Sequence, residues 1–156
     1  AMAGLHPAAG RGRRHSIDTG AIQFLLIDES YNASPVSMAA SLAVLAALPG
    51  ARRIAVLGDM LELGPESESA HRGLATAIAG GRVDLVYTAG EMMAALFDAL
   101  PAKVQGGRYQ NADDLAAPLA AALRKGDVVL VKGSAGSRMG AIVAALKSNG
   151  EAPNAV

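Results

Sequence analysis

Three short segments and one basic cluster carry residues able to do chemistry. The first segment is Asp28-Glu29-Ser30-Tyr31-Asn32. Asp28 closes an aliphatic run, where a carboxylate suits a ribose hydroxyl or a cation; the alternative is a structural carboxylate that caps the next helix. Tyr31 and Asn32 bring a phenol and an amide to the same place, and ordinary loop polarity accounts for them equally well. The second segment, Gly58-Asp59-Met60-Leu61-Glu62-Leu63-Gly64, sets two carboxylates between glycines. Such a pair suits Mg²⁺ or an ammonium group. Otherwise the segment is a turn whose Met60, Leu61 and Leu63 plug the core. In the third, Lys132-Gly133-Ser134-Ala135-Gly136-Ser137, an ammonium, a hydroxyl and free amides suit an anion, although glycines at such a turn also serve packing. Its lysine precedes the glycines, so it is not a P-loop, and the chain has no G-x-G-x-x-G dinucleotide fingerprint. Gly10-Arg11-Gly12-Arg13-Arg14 is a basic cluster suited to phosphate or simply solvated. The three histidines are scattered and no residue is assigned to a metal; His71 is expected on the polar side of its helix.

These segments sit between elements of two alternating periods. His15–Ile17 and the turn at Asp18-Thr19-Gly20 predict a hairpin lead-in to a buried strand over Ile22–Ile27. Ser34 as N-cap and Pro35 open a helix carrying Met38, Leu42 and Leu45, stopped by Pro49-Gly50. Further strands are expected at Arg53–Leu57, Leu85–Thr88 and Asp127–Val131, with a weak one near Lys103-Val104 or Arg108-Tyr109. Helices are expected over Glu66–Ala79, over Glu91–Leu100 and from an Asn111 cap to a last turn holding Arg124 and Lys125, with Pro118 inside. A final one carries Met139, Ile142, Val143 and Leu146. Strands alternating with helices imply βαβ units and a mostly parallel sheet, whose ligands bind beyond the carboxyl ends of the strands. All three segments fall in such loops.

Composition narrows the function. The 156 residues are 51% hydrophobic, enough for one packed domain and too apolar for a disordered tail. Aromatics are 3%, too few for a base-stacking platform, and 14 basic residues balance 14 acidic ones, so no global field attracts nucleic acid. Cysteine is absent, which removes thiolate chemistry. No apolar run reaches the ~20 residues of a membrane span, so membrane insertion is not expected and a cytoplasmic location is. Residues 1–3 read as a possible cloning scar, and about 7–147 as the ordered core of a single domain over 1–156.

The motifs together resemble the Mur ligase family. Asp28–Met38 is similar to its D-D-S-Y-N-A-N-P-x-S-M stretch, Leu57–Gly64 to L-G-D-M-x-E-L-G, and Lys132-Gly133-Ser134 with Arg138-Met139 to a late K-G-S segment. Pro7 with Gly10-Arg11-Gly12 resembles the P-x-x-G-R-G that opens the family's third domain. The four segments occur in the family's order, departing at Glu29 and Ser34, where the family often has Asp and Asn. The resemblance implies a Rossmann-like, three-layer αβα domain with a mostly parallel sheet of about six strands. It also implies ATP-dependent amide formation through an acyl-phosphate, here adding D-alanyl-D-alanine to UDP-N-acetylmuramoyl-tripeptide for peptidoglycan. The partners it implies are those small molecules and the central and N-terminal domains of the same enzyme.

By that resemblance Arg11, Asp28 and Asn32 contact ATP, with Arg11 at the phosphates and Asp28 at the ribose. Tyr31, Asp59, Glu62, Lys132 and Ser134 line the substrate side. The P-loop and the Mg²⁺ ligands belong to the central domain, so this chain alone is expected to fold without ligating. Two rival classes are a dinucleotide-binding module, against which the missing fingerprint weighs, and a noncatalytic interaction domain that docks a partner through Met60–Leu63.

Overall fold

The computed structural model describes residues 13–80 and 82–150. The described residues begin with β1 (Arg13–Asp18), which turns into β2 (Gln23–Glu29). The turn is held by Asp18, whose Oδ1 accepts from the Gly20 amide (2.8 Å) and Gln23 Nε2 (3.2 Å). These bonds to the ionised form, the Gly20 amide first, hold the Asp18 carboxyl below the usual carboxylate range. Then follow α1 (Pro35–Ala47), β3 (Arg52–Gly58), α2 (Ser67–Ala79), β4 (Leu85–Ala89), the short α3 (Ala94–Asp98) and β5 (Gln105–Tyr109). The last described elements are α4 (Ala112–Ala122), β6 (Asp127–Lys132) and α5 (Gly140–Gly150).

The helices start where local chemistry starts them. Ser34 Oγ accepts from the Ser37 amide (3.1 Å) while Ser37 Oγ accepts from the Ser34 amide (2.9 Å), a reciprocal capping box ahead of Pro35. Asn111 Oδ1 accepts from the Asp114 amide (2.9 Å) and opens α4. Pro118 lies inside α4 and removes the donor that the Asp114 carbonyl would otherwise meet.

Among the described residues six strands order as β1-β2-β6-β3-β4-β5, all parallel except the β1–β2 hairpin. One face is covered by α4 and α5, through Leu115, Leu119, Met139, Ile142 and Leu146 against Leu26, Val56 and Val131. The other is covered by α1, α2 and α3, through Leu42, Leu45, Leu74, Ile78 and Leu96 against Ala55, Leu57 and Leu130. This is the expected three-layer α/β domain. All six residues of β6 are buried, as a central strand with helices on both faces requires. At the amino end of the sheet, Arg52 Nε and Nη2 donate to the two Asp127 oxygens (2.9 and 2.8 Å), and Nη2 also donates to the Ala122 carbonyl (3.1 Å). The Asp127 bond raises the Arg52 guanidinium above its usual range. Among the described residues no helix is long and apolar enough to cross a membrane.

Three expectations need correction. The third helix is a single turn and a half over Ala94–Asp98 instead of Glu91–Leu100, because its entry is an irregular turn tied to a neighbouring loop. Helix α4 ends at Ala122, so Arg124 and Lys125 lie beyond it; the Arg124 amide instead donates to Asp127 Oδ2 (2.7 Å) and tightens the turn into β6. His71 is fully buried, not on the polar side of α2.

Candidate functional site

Parallel register brings the carboxyl ends of five strands to one edge. Glu29 aligns with Lys132, Leu57 with Lys132 and Thr88, and Ala89 with Tyr109. Arg13 pairs with Asp28, so β1 also begins at this edge. Arg11 lies outside the described residues. Asp28, Tyr31, Asn32, Asp59, Glu62, Lys132 and Ser134 all lie on strand ends or loops of this edge.

Their surroundings differ. Asp28 is buried, and its Oδ1 accepts from the Ser30 amide (3.0 Å) and hydroxyl (2.7 Å). Tyr31 is 56% exposed and Asn32 is exposed beside it. Lys132 is buried: its Nζ donates to Glu29 Oε1 (2.8 Å), which also accepts from Ser41 Oγ of α1 (2.6 Å). To reach a substrate, Lys132 would have to act from behind Glu29. Glu29, the last residue of β2, is not among the residues the sequence singles out, although a carboxylate that ends a buried strand invites a partner.

Asp59 is an organiser. Its carboxylate accepts from the amides of Met92 (3.3 Å) and Met93 (2.9 Å), tying the loop after β3 to the loop after β4. Gly90 lets this happen: its φ is +114°, and a Cβ there would sit 2.5 Å from the Asp59 carboxylate. Ser134 links a third loop. Its amide donates to the Asp59 carbonyl (3.2 Å) and its Oγ accepts from the Leu61 amide (3.0 Å). Leu61 also rests on Gly136, where a Cβ would meet its Cδ1 at 2.6 Å. Glu62 is exposed with φ +64°, a left-handed conformation that turns the loop outward. Met60 alone of the three apolar loop residues is fully buried; Leu63 is half-buried and Leu61 is 39% exposed.

Between these loops opens a cleft of about 330 Å³ walled by Asp59, Leu61, Glu91, Asn111, Ser137 and Arg138. Arg138 has φ +62°, is exposed, and stands 4.0 Å from the Asp113 carboxylate. Among the described residues no group of three or more His, Asp or Glu side chains could hold a metal ion. The edge thus offers anchored backbone, a polar cleft and an Asp28 Oδ2 that takes no hydrogen bond from the described residues.

His71, expected on the polar side of α2, is buried behind the loop after β3. Its Nε2 accepts from the Met60 amide (3.0 Å). The signal was present: His71, Leu74 and Ile78 share one helical face, and the latter two are core.

This edge belongs to a known class. The sequence matches the family described as Mur ligase, glutamate ligase domain, over residues 12–135. The chain belongs to the Mur ligase family. It is 38% identical over 128 residues to the UDP-N-acetylmuramoyl-tripeptide–D-alanyl-D-alanine ligase of Escherichia coli, a match covering 81% of this chain and 27% of that protein. To the ligase of the same name from Rickettsia prowazekii it is 31% identical over 134 residues, covering 86% of this chain and 29% of that one. The MurF ligase of Thermotoga maritima, solved in complex with ADP, superposes with a TM-score of 0.78 at 27% identity, over 95% of this chain and 33% of that one. The chain spans about three tenths of the length of these relatives.

Proposed function

We propose that this chain is the C-terminal part of a cytoplasmic, ATP-dependent ligase that adds D-alanyl-D-alanine to UDP-N-acetylmuramoyl-tripeptide in peptidoglycan synthesis. The observation that carries the reading is the convergence of three anchored post-strand loops on one cleft at the edge where open parallel sheets take ligands. The chain supplies half a site. A central domain of the same enzyme brings the triphosphate pocket and Mg²⁺, and ATP, when bound, activates the tripeptide carboxyl for attack by the dipeptide amine.

On this reading Asp28 offers its second carboxylate oxygen to the ribose, because Ser30 occupies the first. Arg11 meets the phosphates, and Asn32 and Tyr31 line the seam between nucleotide and substrate. Asp59, Glu62 and Ser134 frame the acceptor side, Asp59 and Ser134 chiefly by fixing backbone. Lys132 adds positive charge to the floor behind Glu29. Catalysis needs groups of two domains within hydrogen-bond reach, so the chain alone binds ATP weakly and does not ligate.

The test is a chimera in which this chain replaces the C-terminal third of the Escherichia coli relative. It should form the pentapeptide product from tripeptide, dipeptide and ATP, while the chain by itself should not hydrolyse ATP. A folded chimera with no product, or brisk hydrolysis by the isolated chain, counts against the assignment.

A further inference from the structure

His71 has no access to solvent, yet it governs a wall of the cleft. Its Nε2 lies 3.0 Å from the Met60 amide nitrogen, and its Nδ1 lies 2.7 Å from the Ser67 carbonyl oxygen. An amide N–H only donates and a carbonyl only accepts, so the two partners fix the ring hydrogen on Nδ1 and leave Nε2 as the acceptor. Met60 points into the core, 1% exposed, among residues of the α1–α3 face. Its two neighbours, Asp59 and Leu61, both line the cleft. The residue that His71 grips is therefore the inward pivot of a ligand-facing wall.

Bonds radiate from that pivot. Asp59 accepts from the Met92 and Met93 amides, Leu61 donates to Ser134 Oγ, and the Ser134 amide returns to the Asp59 carbonyl. The backbone turns left-handed at Glu62, outside any strand or helix, and again at Gly64, which opens a single 3₁₀ turn, so side-chain bonds supply much of the loop's anchorage.

We infer that His71 is a positioning residue for the cleft: Nε2 sets Met60, and Met60 sets Asp59 and Leu61 against the loops after β4 and β6. The ring touches no ligand. The inference rests on the proposed acceptor-side reading for its consequence in the reaction, and on hydrogen bonding alone for its geometry. Two near-isosteres separate the ring's two contacts. The Oε1 of glutamine reaches the place of Nε2 and can accept from Met60; asparagine reaches only the place of Nδ1 and can serve only Ser67.

Nitrogen-15 spectra of this chain should show Nδ1 bearing the hydrogen and Nε2 bare. His71→Asn should speed exchange of the Met60 amide about tenfold or more, and His71→Gln should keep it within about threefold of the parent. In the chimera, His71→Asn should raise KM for D-alanyl-D-alanine about tenfold with kcat changed less, and His71→Gln should restore it. A hydrogen on Nε2, equal exchange in two folded variants, or an unmoved KM in a chimera whose Met60 exchange has risen would each overturn the inference. An unsubstituted chimera that folds but does not ligate speaks against the proposed function instead, and the exchange measurement then decides on His71 by itself.

Discussion

The two ends of β6 carry opposite charges and put them to different use. At its start Asp127 is saturated: it takes both arms of Arg52 and the Arg124 amide, and Arg52 closes onto the Ala122 carbonyl. At its end Lys132 gives one hydrogen to Glu29 (2.8 Å), and Glu29 is its only ion-pair partner among the described residues. The acids are met differently: among the described residues Asp127 accepts three hydrogen bonds, from Arg52 twice and from the Arg124 amide, whereas Glu29 accepts two, from Lys132 and the Ser41 hydroxyl. Both pairs bridge β6 to a neighbouring strand across more than seventy residues of sequence, 75 for Arg52–Asp127 and 103 for Glu29–Lys132. The amino-edge pair is thus tied to the end of α4 and the turn into β6, and the carboxyl-edge pair to α1.

Breaking each pair gives the largest expected contrast. Asp127→Ala leaves a partly buried guanidinium with only the Ala122 carbonyl and strips the Arg124 amide of its acceptor, and should cost about 3 kcal/mol in urea unfolding. Lys132→Met should cost less, about 2 kcal/mol, since it removes the buried ammonium itself and leaves Glu29 the Ser41 hydroxyl. Equal losses would erase the distinction between the edges.

A pair of glycines sharpens it further. Gly90 and Gly20 both have positive φ, +114° and +88°. A Cβ on Gly90 collides with the Asp59 carboxylate at 2.5 Å, whereas nothing lies within 4 Å of one on Gly20. Gly90→Ala should therefore cost about 2 kcal/mol and free the Met93 amide to exchange, while Gly20→Ala should cost about 1 kcal/mol from backbone strain alone.

The smallest effect concerns Tyr87, a buried residue on β4 whose phenol is pushed above its ordinary value of 10, chiefly by burial. The folded state holds that proton longer than the unfolded chain does. Its contribution is complete below about pH 10 and is lost as pH rises beyond it. Tyr87→Phe should flatten this alkaline decline in a denaturant titration series without altering stability at neutral pH by more than about 1 kcal/mol; an unchanged slope would show that Tyr87 titrates alike in both states.

What could be read beforehand followed from local rules. The Ser34 and Asn111 caps, the hairpin at Asp18-Thr19-Gly20 and the buried run of β6 are all written within a few residues of themselves. The insertion of β6 between β2 and β3 is written nowhere in a short window, because it depends on which apolar faces meet. The same limit applies to the site. Its segments were legible as polar loops after strands, but the pairing of Lys132 with Glu29 and of Asp59 with the Met92 and Met93 amides required distant residues to come together. His71 was misjudged because a polar residue was assumed to mark the polar face. It lies on the stripe of Leu74 and Ile78 and is tolerated there because both ring nitrogens find partners.

The position of β6 has a consequence for synthesis. When a ribosome has delivered everything up to Tyr109, the hairpin β1–β2 and the trio β3–β4–β5 have no ladder between them, since β6 alone joins the two. The nascent chain then presents two unpaired strand edges flanking an empty slot. Closure waits for residues 127–132, the fully buried segment that follows both groups of strands. Maturation of this unit is in that sense a single late insertion, and a stop codon before Asp127 would leave aggregation-prone halves in place of a smaller folded protein.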